Sequence, residues 1–189
     1  IKAVMCDMDG LLLDTERLFL EGFLATGKGF GLDASIDLHA TFLACIGHRS
    51  DISNRIIAAA LGDALPFDTF NAAWDASLVQ IMARGIPVKP YAMELLSGLA
   101  AREIPVAIAT STRTSRALEH LEDAKLLPFI QVIVGGDQVN QPKPAPEIYR
   151  KAADMLGMKP EWCIAFEDSD TGTKAAVASG ARTVQVPDL

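Results

Sequence analysis

The sequence predicts an α/β fold: a parallel sheet covered by helices, with a helical domain inserted after the first strand. Three observations carry this. Short apolar runs recur at residues 3–6, 104–109 (IPVAIA), 130–134 (IQVIV), 163–166 (CIAF) and 183–186 (TVQV). Helix-like segments lie between the later runs, at about 91–102, 114–126, 146–157 and 172–179. Residues 15–86 carry helical periodicity and no clear strand.

Each element has a local reason. The first run is short, β-branched or small, and stops at Asp7, which reads as a buried strand. Strands that are apolar nearly throughout, alternating with helices, indicate a parallel sheet covered on both faces. Gly157 and Gly180 fall where helix C-caps belong. In the insertion, Phe19 and Phe23, and Leu20 and Leu24, share faces at i, i+4. Ile52, Ile56, Ile57, Ala60 and Leu61 form a second stripe ended by Gly62; Trp74, Leu78, Ile81 and Met82 form a third ended by Gly85. An insertion of roughly 70 residues is far beyond a loop and predicts a domain of its own. The expected division is a core of 1–14 and 87–189 and a helical domain of 15–86, with hinges near Leu13–Thr15 and Gly85–Pro90. The chain stops at Leu189, just after the fifth run, and a further C-terminal helix is expected beyond it.

Composition narrows the function. The 189 residues are 50% hydrophobic and 22% charged, enough for one sizeable core or a core plus a small domain. A net charge of -7 disfavours nucleic-acid and anionic-membrane partners, because no basic surface would neutralise phosphates. No apolar run approaches the roughly 18–20 residues of a membrane span. Cys6, Cys45 and Cys163 are odd in number and scattered, so neither a disulfide framework nor a zinc site is indicated. Buried thiols in a reducing, cytoplasmic setting are expected.

In an open α/β sheet, ligands bind beyond the carboxyl ends of the strands. The residues after each run therefore belong together: Asp7 and Asp9; Thr110, Ser111, Thr112 and Arg113; Gly135, Gly136 and Asp137; Glu167, Asp168 and Ser169. Lys143 lies in the loop ahead of the helix near Pro146. Crowded carboxylates repel one another, and a divalent cation relieves that. Mg²⁺ takes hard oxygens, commonly one or two carboxylates with substrate phosphate, a role that suits Asp7 and Asp168. Asp7 can then act as a nucleophile toward phosphorus. Asp9 falls on the same side as Asp7 if the extended conformation continues. It can protonate the leaving oxygen and later activate water. Lys143, Thr110 and Ser111 would hold the phosphoryl oxygens.

Four stretches, "DMDGLLLDTE", "AIATST", "PKPAPEIY" and "FEDSDTG", match in order and spacing the motifs of the haloacid dehalogenase-like hydrolase superfamily. The resemblance spans nearly the whole chain, and the insertion resembles that superfamily's α-helical cap. It implies a Rossmann-like core, Mg²⁺ as cofactor and Asp7 as the residue that forms an aspartyl-phosphate. It implies Asp9 as general acid/base whose carbonyl also binds the metal. Thr110 and the Ser111 amide would bind the phosphoryl group, and Lys143 would steady nucleophile and phosphate. Asp168 would be a metal ligand, with Glu167 at or just beyond the ligand set. Gly10 permits the turn after the nucleophile. Pro142 stands where the family often has glycine, which stiffens the loop and leaves Lys143 in place.

Asp9 points to phosphate esters, since dehalogenating and phosphonate-cleaving members lack that aspartate. The chain resembles the branch of β-phosphoglucomutase, sugar phosphatases and pseudouridine 5′-phosphatase. The mutases carry a histidine five residues after the position of Asp14, where this chain has Phe19. That favours a phosphatase of small phosphorylated metabolites, of sugar phosphate or nucleoside monophosphate type. A phosphomutase is the alternative, and a non-catalytic binding protein on the same fold the remote one. Specificity is expected from "CIGHRSD", through His48 and Arg49, and from Arg113; the bland reading of each arginine is a solvated helix-start residue. Asp14 reads equally as a hinge or N-cap residue, and Asp137 and Asp170 as structural. A monomer is expected.

Overall fold

The computed structural model describes residues 1–46 and 50–188. Five parallel strands form one sheet in the order β3-β2-β1-β4-β5. They are β1 (Ala3–Cys6), β2 (Val106–Ala109), β3 (Val132–Val134), β4 (Cys163–Glu167) and β5 (Arg182–Gln185). Met5 pairs with Ala107 on one side and with Ala165 on the other, which puts β1 at the centre. The helices α5 (Ala92–Ala100), α6 (Thr114–Asp123), α7 (Glu147–Met155) and α8 (Asp170–Ser179) connect the strands.

The period of two along β1 sorts its side chains between two cores. Ala3 and Met5 join Ala152 and Ala153 of α7 and Ala175 and Ala176 of α8. Val4 and Cys6 join Leu96 of α5 and Ala117 and Leu121 of α6. Alanines on the α7–α8 side let helices lie close to the sheet, where burial of methyl groups supplies the stabilisation.

Some observed elements are shorter than, or shifted from, the apolar runs for local reasons. β2 begins after Pro105, which lacks an N–H and contributes only its carbonyl, accepting from Val4 N at 2.9 Å. α6 stops before Lys125, whose φ of 60° no helix continues. β5 sits one residue earlier than its apolar run, because Gln185 pairs with Glu167. It is an edge strand with mostly exposed residues, and β3 is the opposite edge; only the central β1 and β2 are buried at every position.

The chain divides into two units, Ile1–Asp14 with Ile86–Leu189, and Thr15–Gly85. The second contains α1 (Thr15–Gly29), α2 (Leu38–Leu43), α3 (Ser50–Leu61) and α4 (Phe67–Met82). Its core is Phe23, Leu32, Leu38, Phe42, Ile57, Leu61 and Phe70. The Phe23 ring lies 5.0 Å from Phe70 and 5.1 Å from Trp74, both edge-on. Phe19 packs against this core, and its carbonyl accepts from Trp74 Nε1 at 3.2 Å. In the first unit the segments flanking the insertion pair with each other. Leu13 and Val88 form an antiparallel bridge, and Lys89 Nζ bonds Asp14 Oδ1 at 3.1 Å. Lys89 also pairs with Asp188. No helix among the described residues is long and apolar enough to cross a membrane.

Candidate active site

β1 ends at Cys6, and the next residue is a buried carboxylate, Asp7, 6% exposed. Its amide still donates to Phe166 O at 3.0 Å, so the chain follows β4 one residue further. Gly10 then turns with φ at 79°, a conformation that L side chains rarely adopt. A Cβ at Gly10 would also overlap Asp168 Oδ2. The glycine thus serves the turn and the close approach of the carboxylate that follows β4.

Lys143 is the junction of the site. Its Nζ donates to Asp7 Oδ1 at 2.6 Å and to Glu167 Oε1 at 2.5 Å, and the residue is 7% exposed. Burial alone would lower the ammonium's pKa; Asp7 and Glu167 outweigh it and hold the group above its ordinary value. Burial pushes Asp7 well above the usual carboxylate range; Lys143 opposes this, while Glu167, Asp168 and Asp9 add to it. Burial, then the charge of Glu167, pushes Asp168 up to about 7. The lysine is positioned from outside as well: Glu147 accepts from the amides of Asn140 at 2.9 Å and Gln141 at 2.8 Å, pinning the loop that carries it.

Asp9 engages a different loop. Its Oδ2 accepts from Thr110 Oγ1 at 3.2 Å and from Thr112 Oγ1 at 2.7 Å. The extended run stops at Cys6, so Asp7 and Asp9 separate by partner: one meets the lysine, the other the threonines after β2. Thr110 also accepts from Thr112 N at 3.0 Å, which folds that loop back on itself. Ser111 is exposed, and its carbonyl would collide with a Cβ at Gly136. Arg113 is exposed at the N-cap of α6. His48 and Arg49 lie outside the described residues. Asp137 accepts from Thr114 N and Oγ1, both at 2.8 Å, and Asp170 accepts from Gln185 Nε2 at 2.8 Å, so both serve local structure.

Asp7, Glu167 and Asp168 each present one oxygen within 4.8 Å of the others. This all-oxygen, anionic set fits a hard divalent cation, and the raised carboxyls are what such a charge would relieve. Glu167 is differently occupied: Oε1 accepts from Lys143 and from Tyr149 OH at 2.6 Å, and Oε2 from Ser169 Oγ at 3.3 Å. That leaves Asp7 and Asp168 as the carboxylates best placed to hold a cation.

Glu147 and Tyr149 are positioning groups that sequence reasoning did not single out, and Thr112 was placed on the rim without a role. Thr112 and Tyr149 lie inside quoted motifs, but their polar atoms gain meaning only from partners 103 and 18 residues away.

A parallel sheet with carboxylates and a buried lysine gathered beyond its strand ends is the arrangement of an α/β enzyme site. Residues 4–186 match the family described as haloacid dehalogenase-like hydrolase, and the chain belongs to that family. It is a hydrolase whose relatives carry phosphatase names. A phosphorylated carbohydrates phosphatase of Thermotoga maritima is 32% identical over 184 residues, covering 97% of this chain and 84% of that protein. A (DL)-glycerol-3-phosphatase 2 of Arabidopsis thaliana is 31% identical over 196 residues, covering 100% and 80%. The crystal structure of CbbY from Rhodobacter sphaeroides in complex with phosphate superposes with a TM-score of 0.74 at 29% identity, covering 100% and 87%.

Proposed function

We propose that this protein is a Mg²⁺-dependent phosphatase of a small phosphorylated metabolite, acting through an aspartyl-phosphate on Asp7. The observation that carries this reading is the clamp on two carboxylates by different partners: Asp7 by Lys143, Asp9 by Thr110 and Thr112. Lys143 holds one oxygen of Asp7 and thereby aims the other, which attacks phosphorus while the bond to the ester oxygen breaks. Asp9 protonates that leaving oxygen, then takes a proton from the water that hydrolyses the acyl phosphate and frees Asp7. Thr110, the Ser111 amide and Lys143 hold the phosphoryl oxygens. Mg²⁺, held by Asp7, Asp168 and the Asp9 carbonyl with Glu167 beside them, supplies charge neutralisation at the phosphoryl group.

The helical unit is read as a cap that selects substrate, through His48 and Arg49, with Arg113 contributing from the core. Phe19, packed into the helical core, offers no imidazole to a sugar hydroxyl, which supports hydrolysis over transfer. Relatives named for phosphorylated carbohydrates and glycerol 3-phosphate support a sugar phosphate or related small ester. A cytoplasmic location accords with three unpaired cysteines.

The test is inorganic phosphate release with Mg²⁺ from sugar phosphates, glycerol phosphate, nucleotides and pseudouridine 5′-phosphate. Release that vanishes in Asp7→Asn and with a chelator is the expected result. No release from any ester, with interconversion of hexose phosphates under a bisphosphate primer, would replace hydrolysis by phosphoryl transfer.

A further inference from the structure

We propose that Tyr149 is a positioning residue that sets how Lys143 is shared between Asp7 and Glu167. This rests on the phosphatase reading for its catalytic consequence, though not for its effect on the carboxylates. Lysine has three donors. Two are spent on Asp7 Oδ1 and Glu167 Oε1, so the ammonium stands between competing acceptors. Glu167 Oε1 also accepts from Tyr149 OH at 2.6 Å. An oxygen that already receives a hydroxyl proton is a weaker acceptor for the ammonium, because both donors draw on the same oxygen's negative charge. Tyr149 therefore tempers the pull of Glu167 and leaves Lys143 on Asp7. The other oxygen, Oε2, accepts the longer contacts of Ser169, at 3.3 Å and 3.4 Å.

The tyrosine is built to stay there. It is 0% exposed among alanines of β2, α7 and α8, so the hydroxyl has no water to turn to. Its ring lies 5.2 Å from the ammonium. Phenylalanine would keep the packing and the ring contact and remove only the hydroxyl.

The experiment is Tyr149→Phe, with Mg²⁺ affinity measured by calorimetry and kcat and KM on p-nitrophenyl phosphate. Lys143 should move toward Glu167, leaving Asp7 less neutralised. Mg²⁺ should then bind roughly two- to fivefold tighter while kcat falls roughly three- to tenfold, within the worth of a hydrogen bond to a charged group. KM should hold. In a Glu167→Gln background the same change should alter neither quantity, the signature of a residue acting only through Glu167. A merely structural tyrosine would loosen the site, weaken Mg²⁺ binding and add its loss to that of Glu167→Gln; either result overturns the proposal.

A second arm keeps the core intact. The chain has two tyrosines, and Tyr91 is exposed. In a Tyr91→Phe protein carrying 3-fluorotyrosine, the stronger phenol donor should weaken Mg²⁺ binding, and tighter binding would overturn the proposal even if Tyr149→Phe does not fold. If the unmodified protein hydrolyses no ester, the Mg²⁺ arms still decide, and the phosphatase reading alone falls. Absence of Mg²⁺ binding to the unmodified protein would overturn both.

Discussion

Gly172 lies against Glu167 so closely that a Cβ at position 172 would fall within the carboxylate itself. The first turn of α8 is where Glu167 needs room, and Gly172 N also donates to Ser169 Oγ at 3.1 Å there. Gly172→Ala should drive Glu167 off Lys143. The expected loss is about 1–3 kcal/mol of stability from overpacking. Chemical denaturation checks it; a neutral alanine would mean that Glu167 has another place to go.

The metal-free site should show a definite pH signature. The Asp168 carboxyl is raised from 3.8 to about 7 in the folded protein. Between those values the folded state holds a proton that the unfolded chain has released, so stability should fall as pH rises through this window. Above it the ionised group is a net burden, which a cation relieves. Millimolar Mg²⁺ should therefore raise the melting midpoint more at about pH 8 than at about pH 5.5. Asp168→Asn should flatten the dependence and shrink the Mg²⁺ shift. Equal shifts at both pH values would refute the assignment.

Thr112 makes the shorter of the two side-chain bonds to Asp9. Thr112→Val removes that donor while keeping shape. A drop of roughly five- to tenfold in kcat is expected, from misaiming the acid/base rather than deleting it. Asp9→Ala should cost about 10²–10⁴, the usual worth of general acid/base catalysis. Equal losses in the two variants would mean that Thr112 does more than orient.

Cys6 precedes Asp7, the proposed nucleophile, and is 0% exposed. Burial, with the nearby charges of Asp7 and Glu167, pushes its thiol up to about 12. At neutral pH it stays an unreactive thiol. A thiol reagent should modify all three cysteines in denaturant, whereas Cys6 should resist in the native protein. Prompt native labelling of Cys6, read by peptide mass, would contradict the packing around β1.

In the helical unit, Phe23 is nearly fully buried and meets the rings of Phe42, Phe70 and Trp74. Phe23→Ala should destabilise that unit by about 3–5 kcal/mol. Loss of helical signal at lower urea, measured by circular dichroism, is the check.

Much of this architecture was readable along the chain. Short apolar runs bounded by polar residues located all five strands, most clearly the central β1 and β2, because a doubly covered parallel strand must be apolar throughout its length. The ends were less legible: Pro105, Lys125 and the pairing of Gln185 trimmed or shifted elements through backbone geometry that hydrophobicity does not encode. Asp7, Asp9, Lys143 and Asp168 could be named because their residue types and order carry chemistry.

The sequence by itself determined which groups are available: two aspartates after the first strand, hydroxyls after the second, a lysine in a loop, an acidic pair after the fourth. Only the tertiary structure decided who holds whom. Lys143 stands between Asp7 and Glu167, Tyr149 shares that glutamate, and Thr112 takes Asp9. The physical reason is distance along the chain. Those partners lie between 18 and 136 residues apart and meet because parallel strands bring their carboxyl ends to one rim. A local pattern can specify a strand and the residue that ends it, but not which of several distant donors will reach that residue.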